Sequence, residues 1–390
     1  MSAIPQPVPI AQKLILIVDD TPTNIGVISG ALKDSYKTKI ATNGKKALDL
    51  ASAEEKPDLI LLDIMMPEMD GYEVCSHLKA DPATREIPVI FLTGQTSPDD
   101  ETRGFEVGAV DYVHKPFSPA VVKARVRSHI LLREARAQLA AQLREINNEL
   151  EMAREIQLAI LPHTLPKLLG LEIAARYLPM TSVAGDFYDF INIDGQHLGI
   201  LVADVSGHGL PSALIASMLQ VALTAQVPHA ADPAKVLAGL NRALYGKFTL
   251  NFVTAAYVYV DLEKNVMRYA GAGHPPVLRY RQSTRNTDKI LENGLVLGIF
   301  DEATYKTLEL PLEPGDRHVL YTDGIPEAAN PAKEFYGTDR FMCFMEKNSA
   351  LNVEQFTEAF LAEIANWTGQ SAEQGQQDDI TLLLFDFKRP

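Results

Sequence analysis

The sequence predicts three successive parts. They are an α/β domain built as a doubly wound parallel sheet, a long helix carrying a coiled-coil seam, and a larger α+β domain of antiparallel sheets flanked by helices. Three observations predict this order. Continuous apolar runs alternate with amphipathic stretches up to about residue 117. A glycine-free segment with an apolar heptad spacing follows. Beyond it, strand-like runs succeed one another across short Gly, Pro and Asn turns.

In the first part, Leu14–Val18, Leu59–Leu62 and Val89–Leu92 are apolar throughout, the mark of strands covered on both faces. Amphipathic stretches over 24–33, 45–53 and 71–79 supply the helices of βαβ units, which end near Phe117. From Ser118 to Leu161, the residues Leu132, Leu139, Leu143, Ile146, Leu150, Ala153 and Ile160 follow spacings of seven, four and three. That is a heptad seam, interrupted in register by Arg136 and Gln157. About 40 helical residues at about 1.5 Å each extend roughly 60 Å. A coiled coil is the favoured reading, with a helix packed inside one domain as the alternative. Lys123, Arg125, Arg127, Arg133 and Arg136 form its solvated face, and Pro162 and Pro166 stop it. In the last part, strands are expected over Leu198–Val205, Phe252–Asp261, Val266–Ala270, Pro276–Tyr280, Arg317–Thr322 and Ile380–Phe387. Helices are expected over Pro211–Gln226 and Asn352–Asn366. The expected boundaries are a disordered tail at 1–11, a domain at 12–130, a linker helix at 131–162 and a domain at 163–390.

Composition narrows the functional classes. With 50 acidic against 36 basic residues the net charge is −14, so no sequence-wide basic field holds nucleic acid or anionic lipid. Two cysteines, Cys75 and Cys343, make no disulfide framework and point to a reducing compartment. Residues 1–10 lack a signal-peptide pattern and no run of about 18 apolar residues occurs. The expectation is a cytoplasmic protein with no membrane span and no direct nucleic-acid partner.

Two constellations carry chemistry. In the first, Asp19-Asp20, Asp63 and Lys115 each follow a strand. The carboxyl ends of parallel strands converge on one crevice. Three carboxylates there repel one another unless a cation shares them, and hard oxygen ligands suit Mg²⁺. Lys115 can pair with an added phosphoryl group, and Thr93 can hydrogen-bond it. These residues, with Leu62-Asp63-Ile64-Met65-Met66-Pro67, Asp70-Gly71, Thr93-Gly94 and Lys115-Pro116-Phe117, resemble the response-regulator receiver family over about residues 12–130. The resemblance implies a flavodoxin-like five-stranded fold. It also implies that Asp63 is the phosphoacceptor for a histidine kinase. Asp19, Asp20, Asp63 and the carbonyl of Met65 would hold Mg²⁺, with Thr93, Tyr112 and Lys115 as switch residues.

The second constellation lies in four motifs: Gly185-Asp186-Phe187-Tyr188-Asp189, Asp204-Val205-Ser206-Gly207-His208-Gly209, Thr322-Asp323-Gly324 and Gln377-Asp378-Asp379. Each sits at a predicted strand edge, and antiparallel neighbours bring such ends together. Scattered aspartates without soft ligands suit Mg²⁺ or Mn²⁺. Two such ions about 3.5–4 Å apart can activate a water for attack on phosphorus. With Glu155-Ile156-Gln157, Leu161-Pro162, Phe252-Val253-Thr254-Ala255, Ala272-Gly273-His274-Pro275-Pro276 and Leu297-Gly298, the set resembles the type 2C serine/threonine phosphatases of the RsbU/SpoIIE branch over about residues 150–390. The resemblance implies an αββα sandwich holding two Mn²⁺ or Mg²⁺. Asp204 would bridge both ions, the Val205 carbonyl would join one, and Asp323, Asp378 and Asp186 would complete the set. Val205 stands where the wider family often has glycine. Asp189 and Asp379 are secondary candidates, and Asp379 reads equally as a cap on the loop before the last strand. His208 is either a proton donor to the leaving serine oxygen or a turn histidine. His274 is either a substrate contact or part of a Pro-fixed turn.

A switch, a heptad helix and a hydrolase in one chain imply regulated catalysis: phosphorylation of Asp63 would act through the helix on the metal site. The expected partners are a histidine kinase, a second copy joined through the linker helix, and a phosphorylated anti-sigma factor antagonist as substrate. The alternative is a non-catalytic phosphatase-like module that sequesters a sigma factor or adaptor.

Overall fold

The computed structural model describes residues 12–94, 98–248, 251–369 and 378–388; the expected tail at 1–11 lies outside them. The chain divides into two compact units, Met1–Glu145 and Ile146–Pro390, and the division falls within the expected linker helix.

In the first unit, strands β1 (Leu14–Val18), β2 (Lys37–Ala41), β3 (Leu59–Asp63), β4 (Val89–Thr93) and β5 (Asp111–His114) form one sheet in the order β2-β1-β3-β4-β5. All of its pairs are parallel. The connections are α1 (Pro22–Leu32), α2 (Gly44–Ala51), α3 (Gly71–Ala80) and α4 (Pro98–Glu106). The β1, β3 and β4 runs are fully buried, as their unbroken apolar character requires. Helix α3 starts at a capping box in which Asp70 and Glu73 satisfy each other's backbone N–H groups. Gly71 is required there, because a Cβ would stand 2.3 Å from the Asp63 carbonyl oxygen. Strand β2 was not expected, since its Lys-Thr-Lys-Ile-Ala sequence is that of a half-exposed sheet edge.

Helix α5 (Pro119–Ile160) is continuous. Its start belongs to the first core, where Val122, Val126 and Ile130 are buried. Arg133 donates to the Asp58 carbonyl oxygen and pairs with the Asp58 carboxylate. Of the seam residues, Leu132, Leu139 (57%), Leu143 and Ile146 (51%) are exposed, while Leu150, Ala153 and Ile160 are half-buried.

The second unit pairs two sheets. Strands β6 (Leu171–Leu178), β7 (Phe187–Asn192) and β8 (His197–Val205) precede helices α6 (Leu210–Thr224) and α7 (Pro233–Leu244). Then come β9 (Val253–Asp261), β10 (Val266–Ala272), β11 (Val277–Arg281), β12 (Asn286–Ile290), β13 (Asn293–Gly294), β14 (Leu308–Pro311) and β15 (Arg317–Tyr321). Helices α8 (Thr338–Lys347) and α9 (Val353–Thr368) and strand β16 (Ile380–Phe387) close the chain. One sheet runs β13-β10-β9-β8-β7 with β14 on β10, and the other runs β12-β11-β15-β16-β6. Every pair is antiparallel except the two-residue β10–β13 pair. Residues of both sheets, together with α6 and α7, share one buried core, among them Val202, Tyr257, Leu320 and Leu383. A second core lies under α8 and α9, where Phe341 stacks on Phe360 at 4.1 Å. No helix among the described residues is long and apolar enough to cross a membrane.

Candidate active site

The first unit gathers its acidic residues as expected. Asp19 is fully buried and Asp63 nearly so, while Asp20 is exposed, and one carboxylate oxygen from each lies within 4.8 Å of the others. Lys115 Nζ lies 3.0 Å from Asp19 Oδ2 and 2.8 Å from Asp63 Oδ1. Asp19 also accepts from the Thr21 N–H and the Asn24 amide. Burial, helped by the Asp19 charge, raises the Asp63 pKa against the opposing pull of Lys115. Burial works against the Lys115 charge, but its bonds to Asp63 and Asp19 outweigh that and raise its pKa. Asp63 is therefore enclosed on one side by a cation and on the other by two carboxylates able to share an ion. Thr93, at the end of β4, is buried. Tyr112 is half-buried, its ring edge-on to Phe105 and His114. The Met65 side chain is exposed, and its expected contribution is its carbonyl alone.

In the second unit Asp204, Asp323 and Asp378 line one cavity of about 270 Å³, with Ser206, His208, Phe252 and Thr254 among its other walls. The strands explain the convergence. Asp204 is at the end of β8, and Asp323 and Asp378 flank the ends of the antiparallel pair β15–β16. The loop after β8 is held by Ser206, whose hydroxyl accepts from the Phe252 N–H and whose carbonyl accepts from the Asn251 amide. Gly207 and Gly209 in that loop have φ of +87° and +83°, which side chains other than glycine rarely adopt. Gly185 is packed so closely that a Cβ would stand 2.7 Å from the Val205 carbonyl oxygen.

Asp186 is 2% exposed, and its Oδ2 accepts from the hydroxyls of Thr322 (2.7 Å) and Thr381 (2.6 Å). Burial, then repulsion from Asp204, pushes its pKa well up. The Asp204 pKa is pushed up to about 7 by burial, followed by Asp323, Asp378, Asp379 and Glu327. That of Asp323 is pushed up to about 6 by burial, then Asp378 and Glu327. These carboxylates have no ion pair with a Lys or Arg among the described residues. Their donors are all oxygen, so the set fits hard divalent cations. Among the described residues, only the Asp19 group draws three acids within a single 4.8 Å span.

The remaining candidates sit differently. Both oxygens of Asp379 hold main chain, accepting from the N–H groups of Met180 and Gly185 at 2.7 Å each. The alternative role expected for it is a cap on the loop before the last strand; its carboxylate instead clamps the 180–185 loop that leads to Asp186. Asp189 accepts from the Phe190 N–H and does not line the cavity. His208 lines it and is exposed. His274 is buried behind the wall, its Nδ1 2.9 Å from the Thr254 hydroxyl.

Two features escaped the sequence reading. Glu327 acts electrostatically on Asp204 and Asp323, and only its place four residues after Asp323 hinted at this. Gln157 is buried near the end of α5. Its amide donates to the Ala184 carbonyl (2.6 Å) and accepts from the Ala184 N–H (3.0 Å). The signal was present: a polar residue at an in-register seam position needs a partner.

Comparison with known families agrees with this geometry. The family described as Stage II sporulation protein E (SpoIIE) matches residues 194–388. The chain belongs to the SpoIIE family. Residues 15–127 match the family described as response regulator receiver domain, so this SpoIIE-family chain is fused to a receiver. Phosphoserine phosphatase RsbU of Bacillus subtilis is 35% identical over 184 residues, which are 47% of this chain and 55% of that protein. Response regulator PleD of Caulobacter vibrioides is 44% identical over 115 residues, which are 29% of this chain and 25% of that protein. The chain thus spans about half or less of the length of these curated relatives. Among solved structures, the SiaA-PP2C domain of Pseudomonas aeruginosa superposes with a TM-score of 0.56 at 28% identity, covering 64% of this chain and all of that one.

Proposed function

We propose that the chain is a two-component response regulator whose output is a metal-dependent phosphoserine/phosphothreonine protein phosphatase. The observation that carries this reading is the cavity where Asp204, Asp323 and Asp378 converge, backed by Asp186. Asp186, Asp204, Asp323, Asp378 and the Val205 carbonyl would hold two Mg²⁺ or Mn²⁺. Such ions, when bound, lower the pKa of a shared water and neutralise phosphoryl oxygens. The residues do the rest. Asp379 fixes the 180–185 loop, and the Thr322 and Thr381 hydroxyls orient Asp186. As the water oxygen bonds to phosphorus, the phosphorus–oxygen bond to serine breaks. His208, which lines the cavity, would give that serine oxygen its proton.

In the receiver, Asp63 takes a phosphoryl group from a histidine kinase. Asp19, Asp20 and the Met65 carbonyl would hold the Mg²⁺ that neutralises the incoming phosphoryl group, and Lys115, Thr93 and Tyr112 would respond to it. The signal reaches the phosphatase through α5: Gln157 grips Ala184, two residues before Asp186. The exposed seam of α5 pairs with a second copy. The substrate class is a phosphorylated anti-sigma factor antagonist, which requires a separate serine kinase. A phosphoserine substrate agrees with the similarity to phosphoserine phosphatase RsbU.

The test is Mn²⁺-dependent hydrolysis of p-nitrophenyl phosphate by the full chain, with Asp204→Ala and Asp323→Ala as controls. Turnover that both substitutions abolish supports the reading. No turnover with Mn²⁺ bound favours a phosphatase-like binding module. For regulation, beryllofluoride is expected to change the rate in the native chain and leave Asp63→Asn unaffected.

A further inference from the structure

Thr254 and His274 form a pair to which the metal-ligand set gives no task. Thr254 on β9 is the register partner of Asp204 on β8, so the two side chains leave the same face of the sheet, and both line the cavity. The Thr254 hydroxyl is 2.9 Å from Nδ1 of His274. His274 itself is 2% exposed and held from behind: the Asn293 amide donates to its carbonyl at 2.8 Å, and Gly273, with φ +66°, donates to the Gly294 carbonyl.

Burial pulls the His274 pKa down to about 3, against a weaker upward pull from the Tyr321 main chain, so the ring is neutral at any working pH. A neutral imidazole has one donor and one acceptor nitrogen. Its Nε2 is buried with no hydrogen-bond partner among the described residues. A proton on Nε2 makes Nδ1 the acceptor: the Thr254 hydroxyl then donates to it, and the lone pairs of that oxygen are left for the cavity.

We infer that His274 carries its proton on Nε2, that the Thr254 hydroxyl therefore donates to Nδ1 and accepts a hydrogen bond from the attacking water beside Asp204, and that His274 is the positioning residue that keeps the threonine proton turned away. Thr254 gains and loses no proton. It selects the water orientation whose lone pair faces phosphorus. This inference rests on the phosphatase reading above.

The test uses the full chain with Mn²⁺ and p-nitrophenyl phosphate. Thr254→Val, which keeps the shape, is expected to lower kcat by about tenfold or more while KM and the calorimetric Mn²⁺ affinity stay within about twofold. Thr254→Ser restores kcat to within about threefold. His274→Ala lowers kcat similarly, and the double variant Thr254→Val/His274→Ala is no slower than Thr254→Val alone. Independently of turnover, NMR of the ring carbons and nitrogens shows His274 neutral with its proton on Nε2, unchanged from pH 5 to 8. Unchanged kcat in Thr254→Val, a loss carried by KM or Mn²⁺ affinity, multiplicative losses in the double variant, or a proton on Nδ1 would each overturn the inference. A native chain inactive with Mn²⁺ would overturn the phosphatase reading first, and that arm is read before any variant.

Discussion

Asp204→Asn is expected to stabilise the metal-free protein and at the same time to make it indifferent to metal. In the fold, burial and the neighbouring acids raise the Asp204 pKa from its ordinary 3.8 to about 7. A carboxyl whose folded pKa is raised favours the fold while protonated, and loses that advantage as pH rises from the unfolded value through the folded one. The full rise corresponds to a penalty of about 4 kcal/mol on the ionised form above pH 7. Asparagine keeps the shape and removes the charge. In EDTA at pH 8 the variant should therefore melt about 8–16 °C above the native chain, at about 2–4 °C per kcal/mol for a unit of this size. At pH 5, where Asp204 is mostly protonated in the fold, the gain shrinks to about 1–2 kcal/mol. Saturating Mn²⁺ at 100 times its Kd should add about 2.7 kcal/mol to the native chain and little to the variant. Scanning calorimetry at both pH values, with EDTA and with Mn²⁺, reads all four quantities. A variant that melts below the native chain in EDTA at pH 8, or that keeps the Mn²⁺ shift, would refute the reasoning.

Other predictions follow from single contacts. Gln157→Ala should cost about 2–4 kcal/mol, because it leaves the Ala184 N–H and carbonyl buried without partners. Hydrogen exchange should quicken over 180–186, and unchanged exchange there would contradict the link. Lys115→Ala should destabilise the receiver by about 3 kcal/mol in EDTA, since it leaves Asp19 and Asp63 facing each other unpaired. A urea midpoint that does not move would count against that pairing. Asp379→Asn keeps one acceptor of the 180–185 clamp and should cost about 1–2 kcal/mol in urea. Calorimetry should find as many Mn²⁺ per chain as in the native protein, and loss of one ion would make Asp379 a ligand.

The sequence shows the parallel domain well because β1, β3 and β4 are buried on both faces, so that composition alone marks them. Strand β2 is hidden by its half-exposed lysines. Helix α7 was not anticipated, although Asp232 caps it and Pro233 opens it, a start signal legible in principle. The acidic motifs pointed to their convergence because each lay at a strand edge. Which acid of an adjacent pair faces the cavity was not legible. Asp378 and Asp379 differ by one residue, and local chain direction sends one to the cavity and the other to the main chain of Met180 and Gly185. His274 reads as either a substrate contact or part of a Pro-fixed turn, and only the fold places it behind Thr254. Gln157 reads as a break in the seam and as part of the Glu155-Ile156-Gln157 motif, but its contact is hidden because its partner Ala184 is 27 residues away.

The central claim is metal-dependent hydrolysis at the Asp204 cavity. Its most direct measurement is phosphate release from a phosphoserine protein by the full chain, in Mn²⁺ and in EDTA, for the native sequence and Asp204→Ala. The account predicts turnover in Mn²⁺ that EDTA abolishes and that Asp204→Ala reduces by about 100-fold or more. Equal rates in Mn²⁺ and EDTA, or full activity in Asp204→Ala, would contradict it.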